Sequence, residues 1–420
     1  MIHLLGLIYD LVVENSKYSK SRRTFNVISS ASADATAGAN FPALELRGGS
    51  HLNSKVNARN RTAAPRVSRT EAKTLESSSH MRIVSTVLLV ALVAGSPVQG
   101  GDDSGGPENF IFFNVERDRI SEKSFLETDA IVGAQLKYTW RELEPERDRY
   151  ELRPLLEDLK FLEEHGKRLF VQIQDASFDE RVNVPDYLIH DSEFGGGAAR
   201  KYEFEGDDES KPRFDGWVAR RWDPAVIVRL KLLLQALGKE LDGKIEGLSL
   251  AETSIGFGDT GELHPKGFTF ESYAEGVMAI MTAGREAFPR SEVIQYANFM
   301  PGEWLPWNDN GYLRGVYERA ERIGVGVGGP DLLPHRKGQR NHSYKLIAAR
   351  VSSVVAGLAV QAGNLEDKDP ETGERVTVPE LYRFAREALR LDYVFWGTEE
   401  PYYSSQVLPY LRGLSNDDRR

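Results

Sequence analysis

Between Phe110 and Trp396 short apolar runs alternate with longer amphipathic segments. That rhythm restricts the chain to parallel strands joined by crossover helices. Phe110-Ile-Phe-Phe-Asn-Val reads as a first strand, and 130–136, 168–174, 245–252, 293–298, 324–328, 354–361 and 392–396 as the next seven. Between them, 152–165 carries apolar residues three and four apart and is capped by Gly166, and 224–241 and 270–288 are helical in the same way. A polar, glycine-rich loop is expected over about 176–220. Eight strand signals with intervening helices match an α/β chain folded as a single (β/α)8 TIM barrel. The alternative is a doubly wound open sheet, but no glycine-rich phosphate fingerprint follows any of these strands.

The barrel is expected over 101–420, which makes the preceding hundred residues conspicuous. The segment 81–100 opens with Met81 and Arg82, continues with an apolar stretch, and ends in small residues near Gly100. Those are the parts of a signal peptide, and the apolar stretch is short for a membrane span. Residues 1–80 are rich in Ser, Ala, Asn and Arg and hold no sustained period, so they read as a disordered or spurious upstream extension. The expected product is secreted or periplasmic, with no membrane attachment once the signal is removed.

Composition removes several classes of function. The net charge is −10, which disfavours a surface built for nucleic-acid phosphates. There is no cysteine, hence no disulfide, thiolate metal site or cysteine nucleophile. His165, His190, His264, His335 and His342 are scattered without the short spacing of ligands, so neither a metal nor a cofactor is expected. The acidic run 205–210 reads as a solvated loop, and no nucleophile elbow supports serine hydrolase chemistry.

In barrels of this kind functional side chains stand at the C-terminal ends of the strands. Those ends carry Lys137 and Trp140, Gln174, Glu252, Tyr296 and Asn298, Asp331, Gln361, and Trp396 with Glu399. Amides and carboxylates that bond hydroxyls, mixed with aromatics that stack on C–H faces, suit a carbohydrate. Trp304 and Trp307, flanking Pro306 after the fifth strand, either extend that cleft or cover the barrel top.

Residues 110–411 resemble the TIM-barrel glycoside hydrolases of the large retaining superfamily that includes β-galactosidases, cellulases and mannanases. The resemblance is carried by Trp140-Arg-Glu-Leu-Glu-Pro-Glu146 with Tyr150, by Val184-Pro-Asp-Tyr-Leu188, and by Glu252 and Trp396 at strand ends. It implies that Glu252 is the general acid/base, that Trp396 is the platform under the sugar, and that Trp140 is a wall. The superfamily usually places Asn before that glutamate, where this chain has Ala251. It also places a nucleophilic glutamate at the end of strand seven, where this chain has Gln361. Either another carboxylate, such as Glu366, Glu399 or Asp331, serves from a neighbouring loop, or the barrel binds carbohydrate without hydrolysing it.

Overall fold

The computed structural model describes residues 106–206 and 208–414. The upstream extension, the signal-like segment 81–100 and the polar tail 415–420 lie outside them. Among the described residues, no helix is long and apolar enough to cross a membrane.

Eight parallel strands close into a barrel: β1 (Glu108–Asn114), β2 (Ile131–Thr139), β3 (Arg168–Gln174), β6 (Gly247–Leu250), β7 (Glu292–Tyr296), β8 (Gly326–Gly329), β9 (Ala356–Val360) and β10 (Tyr393–Gly397). Each of the eight apolar runs therefore yields a strand, and the TIM barrel is the fold. Helices pack outside it, chiefly α1 (Arg153–Glu164), α2 (Pro224–Leu241), α3 (Phe270–Ala287) and α4 (Tyr312–Ile323). Their starts follow local chemistry. Asp223 accepts from the Ala225 N–H ahead of Pro224, and Thr269 with Ser272 forms a capping box for α3.

The expectation of an irregular loop over 176–220 is corrected. It contains an antiparallel hairpin, β4 (Ala198–Glu205) and β5 (Asp208–Ala219), and the acidic run 205–210 supplies the end of one strand and the start of the other. The reason is that the hairpin's alternation is charged as well as apolar. Lys201 is buried yet keeps its ammonium on Asp215 at 2.6 Å, 3.7 Å above the Phe178 ring centroid.

Alternation along the strands sorts side chains into two cores. Inside the barrel lie Phe110, Phe112, Phe170, Ile294, Tyr296, Ala359, Tyr393 and Phe395. Phe170 meets Phe110 and Phe395 edge-on at 5.1 and 5.0 Å, a favourable aromatic geometry. Gly247 makes room for it, because a Cβ there would lie 2.3 Å from the Phe170 ring. The residues of opposite parity, including Ile111, Val394 and Trp396, join the larger core between barrel and helices.

Burial sets three residues expected to contact substrate apart from the mouth. Trp396 is 0% exposed on the outer face, and its indole N–H donates to Asn109 Oδ1 at 2.9 Å. Trp140 is likewise 0% exposed and donates to Glu144 Oε2 at 2.9 Å. Neither is a platform or wall for a sugar. Tyr296 points into the barrel but sits below the mouth, where its hydroxyl accepts from Gln135 Nε2 at 3.0 Å.

Candidate functional site at the barrel mouth

The C-terminal ends of the eight strands converge on a polar mouth above the aromatic interior. On β3, Phe170 faces inward, so Gln172 and Gln174 face inward as well, both nearly buried. On β2, Lys137 has the same parity as Gln135, and its ammonium stands 5.4 Å from the ring centroid of Phe112 in the interior core. Glu252 follows β6, with its carboxylate accepting from Asn298 Nδ2 at 2.8 Å. Asn298 follows β7, and its own Oδ1 accepts from the Ser254 N–H at 3.3 Å. One amide thus ties the end of the Glu252 side chain to the backbone beside it.

Glu399 follows β10 and folds back over the barrel. A Cβ on Gly397 would lie 2.2 Å from Glu399 Oε2, so the bare inward face of that glycine is the seat of the carboxyl. Burial pushes the Glu399 pKa above the ordinary carboxylate range. Its own backbone N–H, Lys137 and the Ala362 N–H oppose that shift without cancelling it. In the ring β1-β10-β9-β8-β7-β6-β3-β2, the strands carrying Glu399 and Glu252 are diametrically opposed.

The remaining expected residues are taken up in structure. Gln361 Nε2 donates to Pro330 O at 2.8 Å, and the Gln361 N–H donates to Asn364 Oδ1 at 2.8 Å, at the start of the helix Ala362–Glu366. Asn364 also donates to Asp331 Oδ1 at 3.2 Å. Gln361, Asn364 and Asp331 thereby stitch together the loops after β8 and β9. A carboxylate at 361 could not donate to the Pro330 carbonyl, which gives the amide a structural reason. Glu366 accepts from the Tyr402 hydroxyl at 3.0 Å, which engages it with the segment after β10. Of the carboxylates expected to reach across the mouth, Glu399 alone is seated over an inward-facing strand position by the contacts above.

The loop after β7 forms part of the rim and presents Trp307, which is 63% exposed. Trp304 stacks on Phe299 at 5.6 Å and is half-buried. His342 anchors this loop. Its Nε2 accepts from the Leu305 N–H at 2.8 Å, so Nδ1 carries the proton and donates to Gly338 O at 2.8 Å. Burial, only partly offset by the Gly338 carbonyl, pushes its pKa down to about 4 from 6.5. The unfolded chain therefore binds this proton first. The His342 contribution is full above the unfolded value and is lost as pH falls toward 4, by about 1.4 kcal/mol per unit of pH. Urea midpoints of wild type should fall more steeply between pH 6.5 and 4 than those of His342→Gln. Parallel slopes would refute a buried, neutral His342.

No family model matches this chain, and neither does any curated protein sequence. Solved structures do. The catalytic domain of β-amylase from Paenibacillus polymyxa aligns over 75% of this chain and 95% of its own length, with a TM-score of 0.47 and 9% identity. A GH10 endoxylanase from a sugarcane soil metagenome aligns over 71% and 89%, at 0.43 and 14%. Xylanase 10B from Thermotoga petrophila RKU-1, in complex with xylobiose, aligns over 70% and 83%, at 0.41 and 13%. Glycoside hydrolases are thus among the structural neighbours of this barrel.

Proposed function

We propose that the chain is a glycoside hydrolase-like enzyme acting on a carbohydrate at this mouth, with Glu252 and Glu399 as its two reacting carboxyls. The observation that carries the reading is the seating of Glu399. It is a half-buried carboxyl over the inward face of Gly397, following the strand opposite that of Glu252. Hydrolysis of a glycosidic bond needs one carboxylic acid to protonate the leaving oxygen and one carboxylate on the other side of the sugar ring. Glu399 suits the first role, because burial favours its protonated form. Glu252, oriented by the Asn298 amide, suits the second. This division reverses the one that the superfamily resemblance implies for Glu252. Gln174 and Gln172 supply amide edges for sugar hydroxyls. An exported location, secreted or periplasmic, belongs to the proposal and rests on the sequence of 81–100 alone.

The test uses nitrophenyl glycosides of the common hexoses and pentoses in both anomeric forms. Wild type should release nitrophenolate from at least one of them, and Glu252→Gln should release it about 10³-fold more slowly. Unchanged turnover in that variant, or binding of sugars by wild type with no release from any glycoside, would refute hydrolysis. The second result would make the barrel a non-catalytic carbohydrate binder.

A further inference from the structure

Beneath the segment that carries Glu252 lies a buried ion pair that no part of the expected site accounts for. Asp175 at the end of β3 and Arg221 after the hairpin are both almost fully buried. They meet through two parallel bonds, Nε to Oδ2 at 2.8 Å and Nη2 to Oδ1 at 2.6 Å. The remaining arm of the guanidinium, Nη1, donates to the backbone carbonyl of Glu252 at 2.6 Å and to the Tyr273 hydroxyl at 3.0 Å. The Tyr273 hydroxyl, from α3, donates in turn to the Thr253 carbonyl at 2.9 Å.

The neighbouring backbone is held just as firmly. The Thr253 N–H donates to Tyr296 O at 2.9 Å, its hydroxyl donates to Phe299 O at 2.6 Å, and the Ser254 N–H goes to Asn298. Four consecutive polar groups, from the Glu252 carbonyl to the Ser254 N–H, are therefore met by partners from three places: Arg221 after the hairpin, Tyr273 on α3, and Tyr296 and Asn298 at the end of β7. The backbone of 252–254 has one direction available to it, and so does the root of the Glu252 side chain.

Stability alone is a poor reason for such a pair. Desolvating two charges largely offsets their attraction, and apolar residues of similar volume generally do as well. What the pair provides that apolar packing cannot is a fixed, forked donor aimed at one peptide carbonyl. We propose that Arg221, braced by Asp175 and Tyr273, is a positioning residue that holds Glu252 in the geometry its reaction needs. The inference rests on the reading of Glu252 as a reacting carboxylate.

Arg221→Lys keeps the charge opposite Asp175, but a single ammonium cannot span both Asp175 oxygens, the Glu252 carbonyl and Tyr273. Amide exchange at Thr253 and Ser254 should accelerate at least tenfold, while amides of β9 and β10 exchange as in wild type. On a glycoside whose turnover Glu252→Gln abolishes, kcat should fall about 10²-fold with KM within about threefold, because a displaced reacting group costs rate and not binding. If Arg221→Lys does not fold, Tyr273→Phe removes the bonds to Thr253 and Arg221 and should show the same pattern at smaller amplitude. A folded variant with wild-type exchange at 253–254 overturns the inference whatever the enzyme's substrate proves to be. Accelerated exchange with unchanged kcat overturns it too. If Glu252→Gln turns over normally, the reading of Glu252 has failed instead, and exchange alone decides whether Arg221 orders the segment.

Discussion

Glu399→Gln is expected to lower kcat/KM about 10³-fold on an alkyl glycoside and far less, about tenfold, on a dinitrophenyl glycoside. The difference follows from the role proposed for the proton. An alkoxide leaving group is too basic to depart unprotonated, and a positioned acid supplies about 10²–10⁴-fold for that step. A dinitrophenolate leaves as the anion and gains little from the acid. Glutamine keeps the shape and the buried seat over Gly397 but has no proton to give. The pH dependence carries a matching signature. Burial makes Glu399 hold its proton above the ordinary carboxylate range. Wild-type kcat/KM should therefore decline on its basic side as this group ionises, and that limb should vanish in the variant. Equal losses on both leaving groups, or an unchanged basic limb, would remove Glu399 from the chemistry and leave it a half-buried carboxyl of the barrel wall.

How much of this was legible in the sequence depended on whether the signal was local. Apolar runs are local, so all eight barrel strands fall where their side chains announce them. Because barrel chemistry sits at strand ends, position along the chain marks Glu252, Gln174, Asn298 and Glu399 as residues near the mouth, whereas the engagement of Gln361 depends on Pro330 and Asn364. Side-chain parity is local too. Phe395 faces inward, so Trp396 beside it faces the helices, whereas Trp140 lies beyond the end of β2 in the helical turn Trp140–Leu143 and outside that count. The hairpin was missed for a different reason. Its strands alternate through charged residues whose burial depends on partners such as Asp215 against Lys201. The brace under Glu252 had no sequence signal at all, since Asp175, Arg221 and Tyr273 are 46 and 52 residues apart. Only closure of the barrel brings them to one carbonyl.

Arg229→Met is expected to cost about 3–5 kcal/mol, the largest stability loss of any single change considered, because of what it strands. Arg229 lies on α2 and reaches the carboxylate of Glu144, which is 0% exposed. Glu144 also accepts from the Trp140 indole at 2.9 Å and from the Asp148 N–H at 3.1 Å. Arg229 in turn holds Asp148 at 2.8 Å and the Tyr187 hydroxyl at 2.9 Å. The Trp140–Glu146 motif that carries the superfamily resemblance is thus organised around a buried carboxylate and its arginine. It staples the segment after β2 to α2 and offers no wall for a ligand. Removing the arginine leaves a buried charge with two neutral donors, whereas removing both partners leaves an apolar patch beside Trp140. Glu144→Met combined with Arg229→Met should therefore recover most of the loss seen in Arg229→Met alone. Guanidinium titrations of the two variants decide the matter. If the double variant is less stable than the single one, the pair contributes more than it costs to bury, and the staple is a net source of stability as well as of geometry.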